Sequence, residues 1–344
     1  MSSSDATFEE TQLANRLLEM VNASWMAQAA CVAARLGLAD LLENGPRSSA
    51  DLAQATQCHE HSLHQLLRGL CAMGVCVERD DKFAITPMGR LLGSHARYSL
   101  KSWTTYWGTS AWPVWAELFE TIKTGVGARA RRTGKEGFEH LQRDRETAQI
   151  FNQAMVELTR LVAPQAARAY DFSNKLVADI GGGYGELLAA ILEAHPTATG
   201  ILFDMEHAIA QAQRAFTERG LAQRCQFIAG DFFASAPADA DVYVLKSVIH
   251  DWNDERGRII LQRCREAMKP TARLLLLERV LSDRVEATPE HRIMARSDLH
   301  MLASFAAQER TERDYRNLLQ SAGLQVISSK PVGAYCLIEA VRDK

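Results

Sequence analysis

A histidine and two glutamates in this chain are candidates for acid–base chemistry. His250 lies in the polar end of the segment 245–252, Glu278 ends the apolar run 274–277, and Glu309 precedes a predicted helix. Because histidine has an unperturbed pKa of about 6.5, His250 could remove a proton from a phenol or an acid at neutral pH. A lone histidine is more often structural, and each glutamate could be a surface or helix-start carboxylate. Together the three residues predict a general base with two carboxylates that orient it.

A glycine-rich turn predicts a nucleotide-binding site. Residues 177–186 read Val-Ala-Asp-Ile-Gly-Gly-Gly-Tyr-Gly-Glu, and Asp204 closes the next apolar run. Gly181 and Gly183 let the backbone approach a ligand closely, and Asp204 could accept hydrogen bonds from both ribose hydroxyls. A dinucleotide fingerprint needs a glycine where Glu186 stands, and a carboxylate there would repel pyrophosphate. The turn therefore favours S-adenosylmethionine, which is positively charged and has no phosphate; an ordinary tight turn is the alternative.

Three further residues are candidates for the adenine end of that ligand. Asp231 and Phe232 follow the third apolar run of this half of the chain, and Lys246 follows the fourth. The carboxylate of Asp231 could accept a hydrogen bond from the exocyclic amine, and Phe232 supplies an apolar ring face. A helix-start aspartate is the alternative for Asp231. No histidine, cysteine or carboxylate cluster has convincing metal-ligand spacing, so the sequence predicts no metal.

The elements that must position these residues alternate from Leu176 onward between apolar strands and amphipathic helices. The predicted strands are 177–180, 200–203, 225–228, 241–245 and 273–277, with two late ones at 326–330 and 336–340. This alternation predicts an α/β fold with a C-terminal Rossmann-like, mostly parallel sheet, helices on both faces and an antiparallel edge. Ligands of such sheets bind beyond the carboxyl ends of the strands.

The segment from residue 30 to 92 has a winged-helix order. Three short helices precede a strand pair, with predicted bounds 30–42, 49–56, 61–73 and 75–85 and a turn at Asp80-Asp81. DNA binding would need a basic recognition helix, yet residues 60–73 offer only Arg68. The first 100 residues hold eight basic and eleven acidic side chains, so contact with phosphates is improbable.

Three other segments each allow two interpretations. The apolar helix 13–26, which includes Trp25, could be covered by a partner subunit or could pack inside its own chain. The aromatic-rich segment 102–119 favours core packing over a ligand pocket. The segment 125–135 favours a solvated loop over an anion-binding site, and its basic residues are Arg129, Arg131, Arg132 and Lys135.

The whole chain has the composition of an ordinary globular protein. It has 344 residues and a net charge of −3, and nothing global suggests nucleic acid, membrane or disorder. The seven cysteines form no Cys-x-x-Cys pair, which predicts reduced core thiols in a cytoplasmic protein. We find no export signal and no apolar stretch near the ~20 residues of a membrane span. We expect three regions: a winged-helix-like domain at 1–100, a helical linker and substrate-pocket region at 101–170, and a Rossmann-like domain at 171–344.

The chain resembles the S-adenosylmethionine-dependent small-molecule O-methyltransferases of the caffeic acid, plant flavonoid and bacterial polyketide or antibiotic type. The resemblance covers nearly the whole chain and is most specific in five segments, which are 179–185, 203–204, 230–233, 250–252 and 309–311. It implies that His250 is a base held by Glu278 and Glu309. It also implies cofactor roles for Gly181, Asp204, Asp231, Phe232 and Lys246.

The resemblance further implies an acceptor pocket and a dimer. The matching acceptor positions are Phe151, Met155, Met301 and Phe305, with Tyr106 and Trp107 as looser matches. Family members are typically intertwined homodimers whose N-terminal domain serves dimerisation and contributes to the partner's pocket. The expected activity is metal-free methyl transfer to a hydroxyl of an aromatic or polyketide-like small molecule of secondary metabolism. N-methylation, C-methylation or use of the cofactor without methyl transfer are alternatives, and a winged-helix transcription regulator is a less favoured one.

Overall fold

The computed structural model describes residues 3–134, 137–138 and 144–343, with side chains from residue 8 onward. The chain divides into two compact units, Met1–Trp112 and Pro113–Lys344. This division lies between the first two boundaries that the sequence suggested, at residues 100 and 170. The three-region organisation stays a prediction.

The N-terminal unit consists of helices and one hairpin. Its elements are α1 (Ser3–Arg35), α2 (Leu38–Leu41), α3 (Ser49–Thr56), α4 (Glu60–Ala72), β1 (Cys76–Arg79), β2 (Lys82–Ile85) and α5 (Lys101–Tyr106). Leucines of α2, α3 and α4 pack with Phe83 of β2 in one apolar core. The hairpin turns at Asp80 and Asp81, which have φ angles of 50° and 59°, the left-handed conformation that a tight hairpin turn requires. The predicted helix–helix–helix–hairpin order is therefore confirmed.

The first helix is longer than the sequence suggested. We predicted separate helices at 13–26 and 30–42, but α1 runs without a break to Arg35 because no glycine or proline interrupts it. The break comes at Gly37, whose φ of 65° ends the helical path. Apolar side chains of α1 remain uncovered, including Leu17 (56% exposed), Val21 (61%) and Trp25 (69%). The described part of the chain therefore does not bury this face.

The C-terminal unit contains a seven-stranded sheet. Its strands are β3 (Leu176–Ile180), β4 (Thr199–Asp204), β5 (Cys225–Ala229), β6 (Val242–Lys246), β7 (Arg273–Glu278), β10 (Leu324–Val332) and β11 (Tyr335–Arg342). The strand order is β10-β11-β7-β6-β3-β4-β5, with β11 antiparallel to β7 and to β10. All seven strands match predicted ones within about two residues. A short parallel pair, β8 (Val280–Leu281) and β9 (Arg310–Thr311), was not predicted.

Helices cover both faces of this sheet. The helices of the unit are α6 (Trp112–Ala116), α7 (Leu118–Thr124), α8 (Ala128–Thr133), α9 (Arg145–Arg160), α10 (Ala163–Ala169), α11 (Glu186–Ala194), α12 (Glu206–Glu218), α13 (Asp254–Ala267), α14 (Pro289–Phe305) and α15 (Glu312–Ser321). One face packs against α10, α11 and α12, and the other against α13 and α15. Leu274, Leu275, Leu276 and Leu277 alternate between the two cores. Because both faces are buried, the strand is an unbroken apolar run.

Two interpretations of the middle segments need correction. The segment 125–135 is not a solvated loop, because residues 128–133 form α8 and Arg129 is buried; Lys135 lies outside the described residues. The aromatic-rich segment 102–119 is only partly core, since Tyr106 is buried whereas Trp112 and Phe119 are exposed.

The cysteines agree only in part with the predicted core thiols, because four of the seven are partly exposed. All seven cysteines lie in the described ranges and are free, and three of them are fully buried. Across residues 3–134, 137–138 and 144–343, every helix is too short or too polar to cross a bilayer.

Candidate active site

The sequence candidates converge at one edge of the sheet. Strand β7 ends at Glu278, β6 ends at Lys246, β4 ends at Asp204, and β3 ends just before Gly181. These four strands are parallel, so their carboxyl ends share an edge. His250 lies in a short 3-10 turn that follows β6. The catalytic and cofactor candidates are therefore brought to the same rim.

His250 is in direct contact with one of its two predicted glutamates. Its Nδ1 lies 2.9 Å from Oε1 of Glu309, a hydrogen bond, and 3.9 Å from Oε2 of Glu278. All three side chains are buried. Because an ionised carboxylate can only accept, Nδ1 carries the hydrogen of this bond and the lone pair of the neutral ring lies on Nε2. Glu309 therefore sets the tautomer, and Glu278 acts on the ring by charge alone.

Glu278 holds the backbone that carries His250. Its Oε1 accepts hydrogen bonds from the N–H groups of Val248 and Ile249, at 3.0 and 2.9 Å. Ser247 has a φ of 53°, a left-handed conformation that turns the chain sharply after β6. This turn directs both N–H groups at the carboxylate. Sequence reasoning assigned Glu278 to the imidazole and missed this backbone role.

Helix α14 fixes Glu309 in two ways. The hydroxyl of Ser297 donates to Oε1 of Glu309 at 2.6 Å, and the backbone N–H of Glu309 donates to Oδ1 of Asp298 at 2.9 Å. Nη1 of Arg279 donates in turn to the Ser297 hydroxyl at 3.3 Å. Sequence reasoning missed Ser297 and Arg279, because their contacts depend on how α14 packs beside β8.

Arg310 holds the turn that carries His250, residues 249–252, through hydrogen bonds to its backbone. Its side chain is 1% exposed, and Nη1 and Nη2 donate to the carbonyls of Ile249 and Trp252 at 3.0 and 2.8 Å. Nε and Nη2 also donate to Oδ1 of Asp254, at 2.9 and 2.7 Å. The two carbonyls flank His250 and Asp251 in sequence. Arg310 thereby joins the segment of Glu309 to the segment of His250.

The buried charges strongly affect protonation at this site. Burial lowers the pKa of His250, but the carboxylates of Glu309, Asp251 and Glu278 outweigh it and raise the pKa to about 10. Burial raises the pKa of Asp251 to about 7, and its Oδ1 lies 3.6 Å from Nε2 of His250. Asp251 is a fourth member of this group that sequence reasoning did not single out. A pKa of about 10 means that the imidazole is protonated at neutral pH.

The glycine-rich turn has the shape of a ligand cradle. Gly181 and Gly183 have φ angles of 69° and 60°, and a Cβ at Gly183 would meet no atom within 4 Å. Gly183 N–H donates to Oδ2 of Asp204 at 2.7 Å, so this carboxylate also organises the turn. Burial, then the charge of Asp204, raise the pKa of Asp179 to about 7, and its Oδ2 has no hydrogen-bond partner among the described residues. A buried, unsatisfied carboxyl beside an open glycine turn fits a ligand with an ammonium or sulfonium group.

Phe232 lies beside this turn, but Asp231 and Lys246 do not share one position. A Cβ at Gly181 would lie 3.5 Å from the ring of Phe232. Asp231 follows β5, whereas Lys246 ends β6, and β3 and β4 lie between them. At about 4.8 Å per strand, the two backbones are roughly 14 Å apart. Lys246 lies over the ring of Tyr335. That Asp231 and Lys246 both meet the adenine end stays a prediction.

Glu186 does not present a free negative charge. Its carboxylate forms ion pairs with Arg160 at 3.2 Å and with Arg219 at 3.1 Å. These two guanidinium groups offset its charge, so the argument that this carboxylate repels pyrophosphate fails. The missing glycine at position 186 still distinguishes the turn from a dinucleotide fingerprint.

An aromatic cluster, consisting of Phe138, Phe151, Trp252 and Phe305, joins two of the predicted acceptor residues. The ring of Phe138 lies 5.4 Å from that of Phe151, 5.1 Å from that of Phe305 and 6.4 Å from that of Trp252, between centroids. Met301 is buried on α14 and Met155 is partly buried on α9. Tyr106 and Trp107 belong to the N-terminal unit, where their rings pack against Trp103. No pattern in the sequence singles out Phe138.

Two protein-family models match this chain. An O-methyltransferase dimerisation domain matches residues 4–94, and an O-methyltransferase domain matches residues 115–325. The chain is 38% identical to a phenazine O-methyltransferase from Lysobacter antibioticus over 90% of this chain and 91% of the relative. It is 36% identical to the mitomycin biosynthesis 6-O-methyltransferase from Streptomyces lavendulae, over 92% and 90%. It is 35% identical to an 8-amino-8-demethylriboflavin N,N-dimethyltransferase from Streptomyces davaonensis, over 87% of each chain.

Solved structures show the same fold. The crystal structure of LaPhzM superposes with a TM-score of 0.92 at 36% identity, covering 96% of this chain and 99% of the other. NcsB1, an O-methyltransferase from neocarzinostatin biosynthesis solved with S-adenosylmethionine and a naphthoic acid, gives 0.79 at 31% identity, covering 92% and 96%. The fold, the rim of the sheet and these matches lead to one conclusion: the chain belongs to the S-adenosylmethionine-dependent O-methyltransferase family.

Proposed function

We propose that this enzyme methylates a hydroxyl group of a flat aromatic small molecule in secondary metabolism, with His250 as the general base. The observation that carries the proposal is the buried hydrogen bond between Nδ1 of His250 and Glu309, at 2.9 Å. This bond leaves Nε2 as the atom that accepts a proton from the acceptor. Glu278 and Arg310 hold the turn that carries His250, and Asp251 adds a negative charge beside its ring.

Each residue of the site has a separate part in this reaction. S-adenosylmethionine supplies, when bound, an electrophilic methyl group on a sulfonium centre. Gly181, Gly183 and Asp204 would hold that cofactor, and His250 would take the hydroxyl proton on Nε2. Glu309 then stabilises the imidazolium that forms, because its Oε1 already accepts from Nδ1. Since only the neutral ring can accept a proton, the raised pKa of His250 makes the reaction faster as pH rises.

The aromatic cluster supports a flat acceptor. Phe151 and Phe305 were acceptor candidates in the sequence, and Phe138 joins them to Trp252, two residues from His250. Rings packed at these distances offer an apolar surface next to the base. The named acceptors of the relatives include a phenazine, and a naphthoic acid is bound in NcsB1. The acceptor roles of Met155, Met301, Tyr106 and Trp107 are part of this proposal.

The same proposal includes a homodimer. The family match assigns residues 4–94 to a dimerisation domain. The uncovered apolar face of α1 is the surface that such a contact would bury. A second copy of the chain would thereby complete the enzyme.

The first test is His250→Ala. We expect kcat to fall by about 10²- to 10⁴-fold, because that is the usual contribution of a general base, with little change in binding of S-adenosylmethionine. A matched control is His291→Ala. His291 lies in the first turn of α14, its Nε2 forms a hydrogen bond with the hydroxyl of Ser282, and it has no part in the proposed mechanism. A variant that keeps full kcat at every pH would show that His250 is not the base.

We also propose that the reaction needs no metal. Ligand atoms of His250, Glu278 and Glu309 lie within 4.8 Å of one another, a spacing that a cation could use. However, Oε1 of Glu278 is held by two backbone N–H groups and Nδ1 of His250 donates to Glu309. A metal would have to displace these bonds. Full activity after dialysis against a chelator is the expected result, and activity restored only by added metal would contradict it.

N-methylation is the second candidate, because one relative is named as an N,N-dimethyltransferase. A neutral amine can attack without first losing a proton, whereas a phenol is activated by a base. Loss of His250 should therefore lower the rate of N-methylation less than the rate of O-methylation. Mass spectrometry and NMR of the product separate the two reactions. A methoxy signal supports O-methylation, whereas a methylamino signal or a carbon-bound methyl would overturn it.

A further inference from the structure

Three long side chains meet at the rim of the sheet that carries the candidate active site. Lys246 ends β6, and Arg279 directly follows β7. Cys336 of β11 pairs with Glu278 of β7, so the preceding residue of β11, Tyr335, lies opposite Arg279. Side chains of residues that lie opposite each other on antiparallel strands are close enough to interact. Because β6, β7 and β11 are neighbours, the sheet itself brings a tyrosine and two cations together.

The ring of Tyr335 packs against both cations. Its centroid lies 4.7 Å from Cζ of Arg279 and 5.4 Å from Nζ of Lys246. Tyr335 is buried, and contacts between a cation and an aromatic ring are stronger where water is excluded. Burial raises the pKa of the Tyr335 phenol, but the charges of Lys246 and Arg279 lead the effects that outweigh it and lower the pKa. The ring is therefore a platform for two positive side chains.

Arg279 also forms a chain of hydrogen bonds that ends at the base. Its Nη1 donates to the hydroxyl of Ser297 at 3.3 Å, and that hydroxyl donates to Oε1 of Glu309 at 2.6 Å. The same oxygen accepts from Nδ1 of His250 at 2.9 Å. Nε of Arg279 is buried and has no hydrogen-bond partner among the described residues. Within this part of the chain, the guanidinium is held by the Ser297 hydroxyl and by the ring of Tyr335.

We propose that Tyr335 is a positioning residue for the general base His250 and that it acts through Arg279. Its ring holds the guanidinium of Arg279 against the hydroxyl of Ser297. That hydroxyl in turn fixes the oxygen of Glu309 that accepts from the imidazole. A planar guanidinium can pack on a ring face while its N–H groups donate to other partners. This inference rests on the proposed function, and it adds a residue from the antiparallel edge of the sheet to the machinery of the base.

The charges around His250 give the proposal a measurable sign. The charged and titratable groups there are Glu278, Asp251, Glu309, His300, Tyr335 and Arg129. Burial lowers the pKa of His250, but the three carboxylates outweigh it and raise the pKa to about 10. Burial raises the pKa of Glu309, but the charge and the hydrogen bond of His250 lower it, and Arg279 adds to this lowering. Without Arg279 in place, more of the negative charge of Glu309 would act on the imidazolium, so the pKa of His250 would rise.

The test is an NMR titration of the imidazole, which needs no acceptor. The full chain, with isotope-labelled histidine and S-adenosylhomocysteine present, would be titrated through the pKa of about 10, and His250→Ala would assign the signal. Tyr335→Met removes the ring but keeps a long apolar side chain, and we expect it to raise the midpoint by about half a pH unit or more. Arg279→Met should raise the midpoint at least as much. The double variant should match Arg279→Met, because the ring acts through this arginine.

Two matched controls separate the ring from its hydroxyl and from its surroundings. Tyr335→Phe keeps the ring, so its midpoint should equal that of the wild-type protein. Tyr98→Met removes a comparable contact in the N-terminal unit, where Cζ of Arg97 lies 5.4 Å from the centroid of the Tyr98 ring. This variant should also leave the midpoint unchanged.

Three results would overturn the proposal. The first is an unshifted midpoint in a Tyr335→Met protein that a thermal melt shows to be folded. The second is a double variant whose shift is the sum of the two single shifts, since Tyr335 would then act independently of Arg279. The third is an unshifted midpoint in Arg279→Met, which decides the matter even if Tyr335→Met does not fold. Full kcat in His250→Ala would instead overturn the proposed function, and the titration would still report whether Tyr335 acts on the imidazole.

Discussion

At the scale of single residues, the decisive interaction is the one between His250 and Glu309. The bond of 2.9 Å assigns Nδ1 as donor and leaves Nε2 of the neutral ring as acceptor, so Glu309 selects which ring nitrogen can take a proton. Three carboxylates around one imidazole hold its proton firmly, since together they raise the pKa of His250 to about 10. His250 can therefore accept a proton only after its ring has lost the proton that it holds at neutral pH.

Glu309→Gln should move the pH dependence in a defined direction. The change removes a negative charge, so the pKa of His250 falls and the neutral ring appears at lower pH. The acid limb of kcat/KM against pH should shift downward, while maximal kcat falls because the imidazolium loses its partner. Glu312→Gln is the control, since this exposed carboxylate on α15 pairs with Arg316. An unshifted limb in Glu309→Gln would show that Glu309 does not govern the base.

At the scale of elements, three segments from different parts of the chain form the site. The turn after β6 carries His250, the end of β7 carries Glu278, and the residues between α14 and α15 carry Glu309 and Arg310. The short pairing of β8 with β9 places the last segment beside β7. Within that segment, Glu309 binds the imidazole, Arg310 holds the turn, and Thr311 caps α15 by accepting from the N–H of Asp314. Three consecutive residues thus bond the imidazole, hold the turn and start a helix.

Arg310→Lys should loosen the catalytic turn without removing charge. Lysine cannot donate to two carbonyls and a carboxylate in one plane, so the carbonyls of Ile249 and Trp252 would lose partners. We expect a loss of about 1–3 kcal/mol in the free energy of unfolding, with a lower kcat at unchanged pH dependence. Urea denaturation and steady-state kinetics measure both. Arg316→Lys is the control, and equal behaviour of the two variants would contradict the role of Arg310.

Elements were predictable from the sequence where the reason for them is local. The run 274–277 is a strand because apolar residues continue through both faces, and the charge at Glu278 marks its end. The contacts of Ser297, Arg279 and Arg310 could not be predicted, because they depend on packing between segments distant in sequence. Helix α8 was missed because glycines flank its six residues and its small and basic side chains carry no apolar periodicity.

At the scale of the whole molecule, the two units differ in what they contain. The C-terminal unit contains the sheet, the glycine turn and the candidate catalytic residues, while the N-terminal unit has an uncovered apolar face on α1. The winged-helix order was readable from the sequence because each helix and turn has local signals. The sequence left open what covers α1, since its apolar pattern does not distinguish a partner from an internal contact.

Leu17→Asp combined with Val21→Asp should separate the subunits. The two side chains lie one turn apart on α1 and are 56% and 61% exposed. Charges placed on a face that a second copy covers would be desolvated, so we expect the double variant to be a monomer with low activity. Analytical ultracentrifugation measures the first property and steady-state kinetics the second. Gln54→Asp, at an exposed position of α3, is the control. A double variant with unchanged sedimentation would locate the interface elsewhere.

The unsatisfied carboxyl of Asp179 links cofactor binding to the proton concentration. Its pKa of about 7 means that a share of the molecules holds a proton there at neutral pH. A cationic ligand favours the ionised form, so its binding should expel protons into the medium and weaken as pH falls below 7. Calorimetry in buffers with different ionisation enthalpies would reveal this as a buffer-dependent heat, and identical heats would contradict it. Binding of S-adenosylmethionine would then release protons, and protons from the solution would compete with the cofactor for the carboxylate.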